Sequence, residues 1–154
     1  MPVYEISISS TLAVEPQRLW AHATDLAGVN RELWPLARMT YPPGLRRLEP
    51  GQVVPGGRLF RSWILAFGFI PIDYDDLVLD QIEPPRRFLE RSSMLTQKTW
   101  THERIIEPVP GGSRISDHVH FEPRIGWFGR LQAPIFRATF RLRHRNLRRL
   151  FNAI

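Results

Sequence analysis

The chain of 154 residues contains no cysteine. That absence excludes a disulfide scaffold, thiolate zinc and iron–sulfur centres, and a cysteine nucleophile. No apolar run approaches the roughly 20 residues that a membrane-spanning helix needs. The opening stretch MPVYEISIS lacks a basic segment ahead of an apolar one, so no secretory leader is expected and a cytoplasmic location is. A phosphate-cradling glycine loop, a serine nucleophile elbow, a closely spaced carboxylate dyad and a zinc-ligand pattern are missing as well. Neither a cofactor nor a metal is therefore expected. Lysine is nearly absent, with Lys98 standing alone beside 20 arginines. Acid disappears from residues 123–154, where eight arginines remain, so that segment carries +8 and the first 122 residues carry −2. A basic segment suits an acidic lipid or RNA surface, and it equally suits a compositional bias towards arginine.

What the chain does have is 43% hydrophobic residues, among them five Trp and nine Phe. Its length favours a single domain over 1–154, burying about 70% of the unfolded surface. Residues 3–13 alternate and read as a strand, with Tyr4, Ile6 and Ile8 opposing Val3, Glu5 and Ser7. Glu15-Pro16 opens a helix whose buried face holds Leu19, Trp20 and Ala23, and a second short helix over Leu26–Leu33 is stopped by Pro35. From 37 to 123 the breaks are regular: Pro42-Pro43-Gly44, Pro50-Gly51, Pro55-Gly56-Gly57, Gly68 with Pro71, Pro84-Pro85, Pro110-Gly111-Gly112 and Pro123. The segments between them, 38–48, 57–67, 71–82, 87–95, 97–108 and 113–122, predict an antiparallel meander. After Pro134 the period becomes helical, and one helix over 131–151 is expected. The fold class is α+β: a curved antiparallel sheet of about seven strands around a long C-terminal helix, with two short helices after strand 1.

That order of elements, with the residues inside it, resembles the START-like or SRPBCC superfamily and its helix-grip fold. The resemblance rests on Val14-Glu15-Pro16 with Leu19-Trp20, Pro84-Pro85-Arg86-Arg87-Phe88, Trp100-x-His102, the run from Asp117 through Val119, Phe121, Pro123 and Gly126 to Gly129, and Arg143-His144-Arg145-x-Leu147. Two positions depart from it: Arg104 stands where relatives often have a second histidine, and Leu95-Thr96-Gln97-Lys98 where they have Gly-Pro. The resemblance implies a single START-like ligand-binding domain of the lipid-binding and polyketide cyclase/dehydrase-like branch, with the C-terminal helix roofing a cavity. A fold of this kind hosts carriers, receptors and cyclases, so it leaves the activity open.

A two-residue turn at Gly111-Gly112 would set Ile106 opposite Asp117, Arg104 opposite Val119 and His102 opposite Phe121. One face of this hairpin then carries Trp100, His102, Arg104, Ile106, Ile115, Asp117, Val119 and Phe121, and points inward. The other carries Thr101, Glu103, Glu107, Ser116, His118, His120 and Glu122, with Ile105 its only apolar member, and reads as solvated, so the His118/His120 pair is read as surface and not as a metal site. Arg104 and Asp117 lie diagonally and form either a register-setting ion pair or a polar patch for ligand. His102 is either a satisfied histidine or a general base. On a helical wheel, Arg130, Arg137, Arg141, Arg145 and Arg148 form a basic stripe, and Leu131, Ile135, Phe136, Ala138, Phe140, Leu142, Leu147, Leu150 and Phe151 an apolar arc. Arg143 falls inside that arc and must meet either an acid, with Asp117 the obvious one, or a ligand anion. Phe136 and Phe140 pack the core and, on the resemblance, line the cavity roof. Trp63 and Phe67, with Tyr74 on the next strand, complete the expected ligand-binding set.

Three functions compete. The first is the binding or carrying of a small hydrophobic or amphipathic molecule. The second is a cyclase/dehydrase-type enzyme in which His102 or Asp117 exchanges protons and Arg104 or Arg143 stabilises an enolate. The third is a protein or RNA-surface partner acting through the basic stripe.

Overall fold

The computed structural model describes residues 2–54 and 56–154; Met1 and Pro55, with its part of the expected Pro55-Gly56-Gly57 break, lie outside the described residues. Alternation makes Tyr4–Leu12 the strand β1, with Ile6 and Leu12 turned into the core. Pro16 starts α1 (Pro16–Ala23) in the first helical turn, where its missing N–H costs nothing. Asp25 caps α2 (Leu26–Leu33) by accepting from the Ala27 N–H, and Arg46 clamps the same carboxylate at 2.8 and 2.9 Å. The strands that follow are β2 (Ala37–Met39), β3 (Phe60–Ala66), β4 (Ile70–Leu77), β5 (Leu79–Glu83), β6 (Arg87–Met94), β7 (Gln97–Val109) and β8 (Gly112–Pro123).

All pairings are antiparallel, in the order β1-β8-β7-β6-β4-β3-β2, with β5 pairing β6 beside β4. The expected strand 71–82 is thus interrupted at Val78, and the expected 38–48 shrinks to three residues. Pro42 and Pro43 explain the second difference, since neither can donate to a ladder. The sheet curls, and α3 (Gly126–Phe151) lies across its concave face. This is the α+β helix-grip arrangement that the order of elements implied. No helix of the described residues is long and apolar enough to cross a membrane.

Three expectations are corrected. The turn between β7 and β8 is Pro110-Gly111, with Gly111 at φ +83°, so Val109 pairs Gly112 and Arg104 faces Asp117 directly. Proline first and a left-handed glycine second is the type II pattern. A slip of two residues leaves every side chain on its expected face. Gly112 stays in the strand because a Cβ there would sit 1.9 Å from the Leu12 carbonyl oxygen. Secondly, α3 begins eight residues before Pro134, which lies inside the helix on its exposed side, where water can take the carbonyl that loses its donor. Gly129 permits this early start, since a Cβ would meet Pro123 Cγ at 2.4 Å. Thirdly, the apolar arc of α3 is only partly buried. Phe140 and Leu147 are core, Phe136 and Phe151 half-buried, while Leu131, Ile135, Ala138 and Leu150 are exposed. The basic stripe Arg130, Arg137, Arg141, Arg145 and Arg148 faces solvent throughout.

Candidate functional site

Between α3 and the sheet lies a buried charge network. Arg104 on β7 is fully buried and sits between two carboxylates. It donates to Asp117 from Nε and Nη2 (2.7 and 2.9 Å) and to Glu32 of α2 from Nη1 and Nη2 (3.0 and 2.7 Å). Glu32 also accepts from Arg143 Nε at 3.0 Å and pairs with His22 Nε2 at 2.8 Å. Asp117 takes His102 Nε2 and His144 Nε2, each at 2.7 Å. An ionised carboxylate only accepts, so both histidines carry their proton on Nε2. His144 Nδ1 lies 2.7 Å from the Ser10 hydroxyl. Burial alone would raise both acids. Arg104 and Arg143, with the bond from His22, outweigh it at Glu32, and Arg104 with the two histidine bonds does so at Asp117, holding both well below the usual carboxylate range.

Above this network opens a cavity of about 190 Å³. Its apolar walls include Leu33, Met39, Ile64, Met94, Trp100, Phe136 and Phe140. Four ionisable side chains also line it: Asp75, Glu90, His102 and Arg143. Arg143 spends its Nε on Glu32 and stacks its guanidinium 5.1 Å from the Phe140 ring, and Nη1 and Nη2 make no hydrogen bond among the described residues. At the mouth stand Phe67, Ile72 and Ile135, all more than half exposed. Phe67 and Gly68 both have positive φ (55° and 88°), and the Phe69 N–H bonds back to Ala66 O. That is a type I′ turn with a bulky residue in the left-handed region.

Of the residues expected at the site, Phe67, Trp100, His102, Phe136, Phe140 and Arg143 line the cavity. Arg104 and Asp117 lie in the network beneath it, and Phe121 is core packing under Trp100, ring centroids 5.7 Å apart. Trp63 and Tyr74 are corrected to the outer face of the sheet. They pair across β3 and β4 with rings edge-on at 5.2 Å, Trp63 is 42% exposed, and Arg61 covers Tyr74 at 4.0 Å. The inward residues of β3 are instead Phe60, Ser62 and Ile64. Arg143 meets Glu32 and not Asp117.

Sequence reasoning missed Glu32, His144, Asp75 and Glu90. Glu32 sits three residues after Val29 on the buried face of α2, and His144 lies between Phe140 and Leu147 at helical spacing. Both lie at the helical spacing of a buried face, where a polar residue is ordinarily expected to turn outward. Asp75 and Glu90 come from different strands, so no short spacing announces them.

A half-barrel sheet gripping one long helix over a small apolar cavity defines the helix-grip class. The family model described as "Domain of unknown function (DUF8410)" matches residues 10–151, and the chain belongs to that family. No match exists among curated proteins. Among solved structures, a Chromobacterium violaceum protein superposes with a TM-score of 0.67 at 14% identity, covering 97% of this chain and 99% of its own. Ara h 8.0201 gives 0.57 at 16% identity, covering 93% and 96%. DynU16, of the dynemicin biosynthetic locus, gives 0.58 at 14% identity over 97% of this chain and 48% of its own, so this chain spans about half of that protein. At such identities the likeness is one of fold.

Proposed function

We propose that the chain binds and carries a small hydrophobic or amphipathic molecule, of lipid, isoprenoid or polyketide-like character, in the cavity beneath α3. The observation that carries this reading is the cavity itself: aromatic and aliphatic walls with a few convergent polar groups, the general form of a small-molecule site. Its volume of about 190 Å³ suits a ligand of one or two rings, or a longer chain that leaves through the mouth at Phe67, Ile72 and Ile135. Proton exchange by Asp117 with Arg104 is disfavoured, because both groups are saturated by internal partners and neither lines the cavity.

The test is occupancy. Protein purified from its native host and extracted with organic solvent should release a hydrophobic molecule identifiable by mass spectrometry. In parallel, Ala66→Trp should fill the mouth and weaken the neutral probe N-phenylnaphthylamine by at least about tenfold, leaving Tm nearly unchanged. Equal affinity in the filled variant would reject the cavity as the site.

A further inference from the structure

Asp75 on β4 and Glu90 on β6 are 3% and 8% exposed, and both line the cavity. Ser92, two residues from Glu90, donates its hydroxyl to Glu90 Oε2 at 2.6 Å. Asp75 Oδ1 is buried and has no hydrogen-bond donor, one of two such side-chain atoms among the described residues. A buried polar atom left unpaired is costly, so Oδ1 is the point at which a hydrogen-bond donor on a ligand gains most.

The charge balance says which partner. Glu32 and Asp117 are matched by Arg104 and Arg143, and these are the only buried arginines of the described residues. Among the described residues of the cavity lining, the basic groups near Asp75 and Glu90 are Arg143, whose Nε is spent on Glu32, and His102, which pairs across β6 and β7 with Glu90 and gives its Nε2 to Asp117. Asp73, also on β4 and 5% exposed, adds a further acid behind the Asp75–Glu90 side, tied to Thr96. An acid entering this wall meets carboxyls, whereas a donor meets an oxygen that lacks one.

We propose that Asp75, supported by Glu90, is the polar anchor of the cavity and selects an apolar molecule ending in a hydrogen-bond donor, an amine above all. This rests on the cavity being the binding site, and it reverses the acidic ligand that Arg143 suggests from the sequence. Burial first, and then Glu90, push the Asp75 carboxyl well above the usual range, which favours its protonated form in the free protein. A neutral hydroxyl can share that proton, while an ammonium group displaces it.

Four probes with one body separate the outcomes: methylnaphthalene, naphthylmethanol, naphthylmethylamine and naphthoate, titrated calorimetrically into wild type, Asp75→Asn and Glu90→Gln. The amine should bind at least about tenfold tighter than naphthoate, with the alcohol between, and its heat should depend on the buffer because a proton is released. Asp75→Asn should cost the amine at least about tenfold and change methylnaphthalene by less than about twofold. Glu90→Gln should weaken the amine in the same direction, which covers the case of an unfolded Asp75 variant. Naphthoate binding as tightly as the amine would overturn the assignment in favour of Arg143, and so would a flat series. Failure of all four, methylnaphthalene included, would overturn the cavity reading with it.

Discussion

Arg104 has no contact with water, and what holds a guanidinium in such a place is the geometry of its acceptors. Two carboxylates approach it edge-on from opposite elements, Glu32 from α2 and Asp117 from β8, each engaging two of its nitrogens. Arg143 touches the same Glu32 once, at the network's edge. The two arginines should therefore differ sharply on truncation. Arg104→Met strands two buried carboxylates and should lose about 3–5 kcal/mol in urea denaturation. Arg143→Met leaves Glu32 with Arg104 and His22, and should lose about 2 kcal/mol, one charged hydrogen bond. Equal losses would mean that the network shares its charge more evenly than the bond lengths imply.

The turn between β3 and β4 shows an element serving the cavity at its own expense. A type I′ turn favours Asn-Gly, and this one has Phe67-Gly68, whose phenyl ring stands 59% exposed at the cavity mouth. Phe67→Asn should raise stability by about 1 kcal/mol, read from the denaturation midpoint, and should weaken an apolar probe such as methylnaphthalene. A destabilised variant would show that the ring packs harder than its exposure suggests. Elements of this kind were legible in the sequence where a single period governed them. The alternation of β7 and β8 placed all eight inward residues correctly, and α2 ran between its expected ends. Aromatic character predicts an inward face for Trp63 and Tyr74, whereas the two rings cover each other on the convex side of the sheet. The start of α3 was hidden by Pro134, since a proline tolerated at a wet helix face looks the same in sequence as one that begins a helix. The Asp75–Glu90 pair was out of reach, depending on the bend at Val78 that brings β4 and β5 against one strand.

Across the whole molecule two sets of buried acids pull stability in opposite directions with pH. Glu32 and Asp117 are held below their ordinary values of 4.5 and 3.8, so their contribution is complete above those values and drains away as pH falls through the folded-state titration. Asp75 and Asp73 are raised above 3.8 by burial, which has the reverse effect. On lowering pH from about 7, the folded state takes up their protons first, and the cost of burying them is relieved before the unfolded chain titrates. From these carboxyls, stability should rise or hold towards about pH 4.5 and fall steeply below it, where a chain with 21 basic residues also repels itself. Asp75→Asn isolates one member of the second set. The variant should be more stable than wild type near pH 7, and the gap should narrow steadily to its smallest value near pH 4, because below the unfolded-state value both forms of the aspartate are neutral. Urea denaturation at about four pH values between 7 and 3 measures this, with every histidine common to both proteins and so cancelling in the difference. A gap that stays constant across the range would mean that Asp75 is ionised in the folded protein, and that a counter-charge such as the Arg143 guanidinium, which lines the same cavity, reaches it.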